Sequence, residues 1–538
     1  MPQSRRSFLK SLSAAALAAG YPATTRADPQ FSVDRYAHAG DPLFKDLAAR
    51  ALDAAKAAGA SYADVRFTRT RTEVISSFGT GSYQVQTDDE HGAVGVRALT
   101  DGAWGFASSP LWTPDEAARL GRDAASQAKY NARGHKRKVS LGNAPPVVTG
   151  EWTTPIKTDP FNISLAEKLE VMWALNEIAE RLDEPATIGS YMILHHRRQE
   201  KTFASTDGSF ITQTLFVSHP HLLVFAQDNR GIGQSRTLDA MQPAQVGWER
   251  MAGPSYGDAI PDAVDEAVRA LDAERVTPDR YDIVLDALAM AQLVAMTIAV
   301  PAELDRVLGY EANAGGTSYL APPEEMLGKF ALGPRFLNVA ANRSRAGVIG
   351  TVKWDDEGVV PTSYPVIKDG VLVSYHTNRE LAAAQGTPST GNAASDNASQ
   401  FTLLQPPNIE MLPGTSDVSL NDLVSQLDHG LVILGGAPGP GSHGIVSVDR
   451  QQLNGEIGGG MVYEVKKGKR VGYLRNVECL FRSPDLWKSL KAIGGQRSQV
   501  WTASTIGKGQ PNQNLTFGSA GVPALFTKVA VTDITRRA

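Results

Sequence analysis

The sequence predicts a multidomain α+β protein, with N-terminal units of mixed helix and strand followed by a mostly β C-terminal domain. Its 538 residues are 42% hydrophobic and 20% charged, the balance of a folded protein, and the length suits about three structural units. Helical periodicity alternates with period-two strands as far as residue 280. From there to residue 532, short strands separated by Gly and Pro turns dominate.

Taken in order, residues 1–27 read as an address rather than as structure. Arg5 and Arg6, followed by Phe8, Leu9 and Lys10, precede a short Ala-rich stretch and a small-residue site at Ala27, the parts of a twin-arginine export signal. The apolar stretch is too short for a resident membrane helix, so the expectation is cleavage near Ala27 and release into the periplasm. Residues 41–130 form the first unit. An amphipathic helix stops at Gly59, strands follow at 62–67 and 72–76, and Asp101-Gly102 turns a hairpin between 94–99 and 104–107. Pro114 then sits just inside the start of a second helix.

Residues 131–155, polar, basic and Pro-bearing, are expected as a linker. The central α+β unit, 156–280, predicts a helix over 165–182, strands around 191–194, 201–205 and 210–225, and a helix over 258–271. The C-terminal domain, 281–532, opens with a strand at 283–285 and a continuous apolar helix over 287–300 ended by Pro301. Such a helix would pack dry, each fully buried large side chain contributing roughly 1.5–3 kcal/mol. Hairpins such as 366–373, turning at Asp369-Gly370, follow.

The formal net charge is −4, and without the four basic residues of the first 27 there remain 49 basic against 57 acidic residues, a net −8. Such a body lacks the basic face that phosphates require, so nucleic acid is not an expected partner. Cys479 is the only cysteine, which excludes an intrachain disulfide and a Cys-rich zinc site. In its apolar run it reads as a small buried hydrophobe.

Several segments form a colinear set: residues 59–66 and 95–107 in the first unit, and in the last unit 303–313, Gly316-Thr317-Ser318, Asp355-Asp356-Glu357-Gly358, Pro407-Asn408 with Pro413-Gly414, Gly455-Glu456-Ile457 and Gly507-Lys508-Gly509-Gln510. Read together, they resemble the TldD/PmbA family of zinc-metallopeptidase-like proteins. The similarity is colinear over nearly the whole chain after the signal. The resemblance implies an N-terminal family domain over 41–130 and a metallopeptidase-like domain over 281–532. In active members it also implies HExxxH on a helix and a later Cys, which hold zinc while the Glu activates a metal-bound water. The two His are expected on one side of that helix.

Alignment without gaps from Glu303 to Arg306 puts the motif at residues 295–300, where Ala295, Met296 and Val300 stand for His, Glu and His. No histidine occurs between His221 and His376, the distal Cys is Ile506, and Gln405 stands where an Arg is usual. On this reading there is no catalytic residue and no cofactor is expected, because aliphatic and thioether side chains cannot serve a borderline cation.

The histidines and one glycine-rich run offer further candidates. His219 and His221 would share one face of a strand, as metal ligands can, whereas His195 and His196 point to opposite faces. His376 and His443 with Glu303 are a conceivable relocated metal set, near Asp305 and Glu456 in sequence unit. Residues 439–444 fit GxGxxG, but a strand rather than a helix follows, which makes them a turn. Three functions follow. The first is a metal-free, non-catalytic subunit that shapes a cavity for peptide substrate beside a metal-bearing TldD-type relative. The second is an active metallopeptidase using the relocated ligands and zinc. The third is a stand-alone peptide-binding protein.

Overall fold

The computed structural model describes residues 42–535, apart from 135–136, 183, 253–255, 436–445 and 459. The export signal, His443 and the GxGxxG turn therefore lie outside the described residues.

Helix α1 (Pro42–Ala57) buries Phe44, Leu47, Ala51 and Ala55 against the sheet formed by β1 (Tyr62–Phe78), β2 (Gln84–Thr100) and β3 (Ala103–Ser109). The β2–β3 turn places Asp101 and Gly102 at φ 54° and 79°, the doubly left-handed geometry that an Asp-Gly pair tolerates. Helix α2 (Pro114–Ala132) starts where Thr113 caps the Glu116 N–H and Pro114 fills the first turn. It packs so close to α1 that a Cβ at Gly121 would lie 2.1 Å from the Ala51 carbonyl oxygen.

The central segment adds β4 (Thr149–Thr153), helix α3 (Leu165–Glu180), β5 (Thr187–Ser205), β6 (Phe210–Gln227), β7 (Gly233–Thr237) and helix α4 (Ile260–Arg269). The boundary drawn from sequence does not interrupt the sheet. Its order is β3-β2-β1-β5-β6-β4, with β7 also on β6, and β1 pairs antiparallel with β5 from Asp64↔Ser205 to Phe78↔Tyr191. The end of the expected linker belongs to it too, since β4 runs parallel to β6. The two short strands expected at 191–194 and 201–205 are one strand, because both neighbours satisfy its backbone and its polar middle alternates between core and cavity.

From residue 274 the chain builds two large sheets, among the described residues. One is ten-stranded, centred on Asp279–Leu285 between Ala524–Asp533 and His429–Leu434. The other is six-stranded and includes Val339–Asn342, Ile409–Met411 and Gln513–Gly521, with Val500–Lys508 at its edge. Helix α5 (Ala287–Val294) lies in a single core that joins Leu285 and Phe526 of the first sheet to Val339, Ile409 and Phe517 of the second. Cys479 is buried in strand Val477–Arg482, and burial pushes its thiol up to about 12. No helix among the described residues is long and apolar enough to cross a membrane.

Candidate functional site

Helix α5 begins where the Asp286 carboxylate accepts the Ala289 N–H at 2.8 Å, and all eight of its residues are buried. It does not continue as one α-helix to Val300, as its sequence suggests. Residues Ala295–Ala299 form a π-turn in which the Val300 N–H reaches the Ala295 carbonyl at 3.0 Å. Neighbouring side chains support this departure. The Tyr319 hydroxyl donates to the Thr297 carbonyl at 2.7 Å, and the Trp487 indole donates to the Thr297 hydroxyl at 2.9 Å.

The π-turn, not a regular α-helix, supplies the expected facing of residues 295 and 300. In an α-helix a five-residue step turns about 500°, leaving residues 295 and 300 on divergent faces at about 100° per residue. The 295–300 hydrogen bond stacks them instead. Ala295, Val300 and Ile506 are buried in the same hydrophobic core, and Met296 packs against it. Methyl, isopropyl, butyl and thioether groups do not fit the donor set of a zinc site, which needs imidazole, thiolate or carboxylate.

The helix is not dry along its whole length. Gln292 and Met296, one turn apart, line a cavity of about 790 Å³ between the six-stranded sheet and the face of the N-terminal sheet. Strand β5 contributes His195, Arg197, Gln199 and Lys201 to that cavity at period two, and β6 contributes His219 opposite His195. Gln405 lines it as well, its amide donating to the Thr516 carbonyl at 2.8 Å. The positions that would carry an active relative's Glu and Arg thus face the cavity as Met296 and Gln405. In sequence the row on β5 shows only as a polar stretch between the apolar runs 191–194 and 201–205, its alternation being the signal that one strand continues.

The relocated metal set is only partly brought together. Backbone bridging joins Glu303 to His376, but their side chains are committed elsewhere. The Glu303 carboxylate takes Arg306 Nε at 2.6 Å and Lys508 Nζ at 2.7 Å, while His376 Nδ1 lies 2.7 Å from the Tyr364 hydroxyl. Burial holds His376 down at about 3. Among the described residues, no group of three or more His, Cys, Asp or Glu is arranged to hold a metal. His219 and His221 do share a face, their ring centroids 6.1 Å apart, and burial lowers both. His196 points the other way, its ring centroid 5.8 Å from that of Trp248 in the core.

Two buried ion clusters tie distant segments together. Lys508, wholly buried, donates to Glu303 and to Asp305 at 2.6 Å, so segments 205 positions apart meet around one ammonium. Burial alone would lower that ammonium, but Asp305 and Glu303 hold it above its ordinary value. At the contact between the N-terminal sheet and the C-terminal domain, Arg97 forks onto Asp64 at 2.6 Å and reaches Glu357 at 3.3 Å. Asp356 receives Lys201 and lies 3.5 Å from Arg66. The Asp355-Asp356-Glu357 run therefore docks the two parts of the chain.

Comparison with known proteins adds to this geometry. Residues 278–533 match the family model for the PmbA/TldA metallopeptidase C-terminal domain, and residues 63–128 match PmbA/TldA metallopeptidase domain 1. A metalloprotease of Synechocystis is 24% identical over 463 residues, covering 82% of this chain and 89% of its own. One from Methanocaldococcus jannaschii is 22% identical over 371 residues, 68% of this chain and 74% of its own. Among solved structures, a putative modulator of DNA gyrase from Bacteroides thetaiotaomicron superposes with a TM-score of 0.68 at 15% identity, over 92% of this chain and 99% of that one. TldE from Thermococcus kodakarensis does so with a TM-score of 0.65 at 14% identity, over 91% and 100%. These likenesses establish the shared fold.

Proposed function

The chain belongs to the PmbA/TldD metallopeptidase family, and on that premise we propose that it is a metal-free, non-cleaving member that holds peptide in its cavity beside a metal-bearing relative. One observation carries the reading. Ala295, Val300 and Ile506 occupy a shared dry core and Met296 a cavity wall, while the cavity itself remains open at about 790 Å³. The metal chemistry is gone and the space for a ligand is kept. A partnership of TldD and TldE type is supported by the likeness to the Thermococcus kodakarensis TldE fold and by relatives named as TldD homologues.

The relocated-ligand alternative is disfavoured by the two cations already seated on the Glu303 carboxylate. Arg5 and Arg6, with the stretch that follows, support export by the twin-arginine route and residence in the periplasm.

Affinity purification from the native periplasm tests the proposal. It should recover a metal-bearing family member in stoichiometric amount, with zinc assigned to that partner by metal analysis. Recovery of a lone chain carrying its own equivalent of zinc would refute it.

A further inference from the structure

Three cations and one carboxylate face the cavity: Arg197, Lys201 and Arg343 against Asp396. Lys201 is neutralised from behind by Asp356, and Arg197 has Asp396 at 3.9 Å. Arg343 differs from both. It is 4% exposed and makes no ion pair among the described residues. Its Nε donates to the Gly350 carbonyl at 3.1 Å, and its Nη1 is shared between the carbonyls of Gly391 and Ala393 at 3.3 Å each. Nη2 has no protein partner among the described residues.

The nearest carboxylates act on Arg343 only through space. Asp356 is engaged by Lys201 and Arg66, and Asp355 accepts the backbone N–H groups of Glu357, Val359 and Ala393. A guanidinium cannot shed its proton, so a buried one that Asp355 and Asp356 reach only through space, with no carboxylate in contact, can accept an anion from the cavity.

A second side chain supplies the opposite polarity. Gln245 is 3% exposed, lines the same cavity, and leaves its amide oxygen without a hydrogen-bond donor. Its backbone N–H donates to the Gly347 carbonyl at 3.0 Å, which ties it to the loop between Arg343 and Val352. A buried acceptor without a donor is costly, and a ligand N–H would relieve it.

We infer that the cavity recognises a peptide carboxylate, with Arg343 as its anion contact, Arg197 as a flanking cation, and the Gln245 amide oxygen accepting a neighbouring peptide N–H. This rests on the reading of the cavity as a peptide-holding site and adds the chemistry it selects. The carboxylate comes from the chain end or from an acidic side chain, and the experiment separates the two.

Fluorescence anisotropy with the purified full chain would use three dye-labelled, unstructured hexapeptides of otherwise identical sequence. One has a free C-terminal carboxylate, one a C-terminal amide, and one the amide with a single Glu. The free acid or the Glu-bearing amide should bind at least tenfold more tightly than the neutral amide, and the member of the pair that does so identifies the source. Arg343→Gln should erase that preference, bringing the carboxylate-bearing peptide to the affinity of the neutral amide. If that variant fails to fold, Arg197→Gln, whose side chain is more accessible, should reduce the preference at least threefold. Equal binding of all three peptides by the unaltered protein overturns the carboxylate assignment while the peptide-holding reading stands. Binding of none overturns both.

Discussion

Arg97 and Glu357, 260 positions apart in the chain, meet at 3.3 Å with each side chain only 2% exposed. The contact fastens the N-terminal sheet to the C-terminal domain, and Arg97 is shared with the equally buried Asp64. Removing the guanidinium would strand two carboxylates without water. Arg97→Ala should therefore destabilise the protein by about 3–5 kcal/mol, measured by urea unfolding. A loss below about 1 kcal/mol would mean that water reaches the contact.

Lys508 should behave in the same way for a different reason. Its ammonium is the common partner of Glu303 and Asp305, and Arg306 is left to compensate only one of them. Lys508→Met keeps much of the volume and removes the charge, so a cost of about 3–5 kcal/mol is expected in thermal and urea unfolding. Lys508→Arg would not rescue it fully, because a fork cannot occupy the space of a point charge.

Restoring donors to the degenerate positions tests the metal-free proposal directly. In the combination Ala295→His, Met296→Glu, Val300→His and Ile506→Cys, the two histidines overfill a packed core and should each cost about 1–3 kcal/mol. Zinc should then raise the melting temperature of this variant and leave that of the parent unchanged. A zinc-dependent rise in the parent protein would sink the proposal.

Acid should act through the buried histidines. Burial holds His196 and His376 at about 3 and His221 at about 4, all below the ordinary value near 6.5. Below that ordinary value the unfolded chain takes up protons that the folded chain refuses. Their stabilising effect is therefore complete at neutral pH and declines as pH falls towards those folded values. Asp355 and Asp286, raised by burial to about 7 and about 6, act in the opposite sense, being most stabilising below the unfolded carboxyl value. A difference measurement isolates one group. Relative to the parent, His376→Gln should gain about 1.4 kcal/mol for each pH unit between about 5.5 and 4, by urea midpoint. A constant gap across that range would exclude His376 as a buried neutral base.

Local chemistry was legible and distant pairing was not. Asp101-Gly102 announces its turn and Thr113-Pro114 its helix start because the residues themselves set the backbone. The segments at 303–313 and 507–510 stand out in sequence, and in the fold they meet around Lys508. By contrast, nothing near Tyr62–Phe78 indicates that its partner is Thr187–Ser205, since the pairing depends on residues more than a hundred positions away. The π-turn is equally hidden, because the groups that stabilise it, Tyr319 and Trp487, arrive from other parts of the fold. Gln245 and Arg343 are unremarkable in sequence and become informative only when burial leaves one without a donor and the other without a carboxylate in contact among the described residues.

The continuity of the N-terminal sheet limits how this molecule can be dissected. Cutting between residues 131 and 155 would unzip β1 from β5 along the run from Asp64↔Ser205 to Phe78↔Tyr191. Both halves would then present long bare strand margins, which invite mispairing and precipitation. Workable excision products must carry both parts together, and an evolutionary exchange of one part between relatives would have to preserve that seam residue by residue.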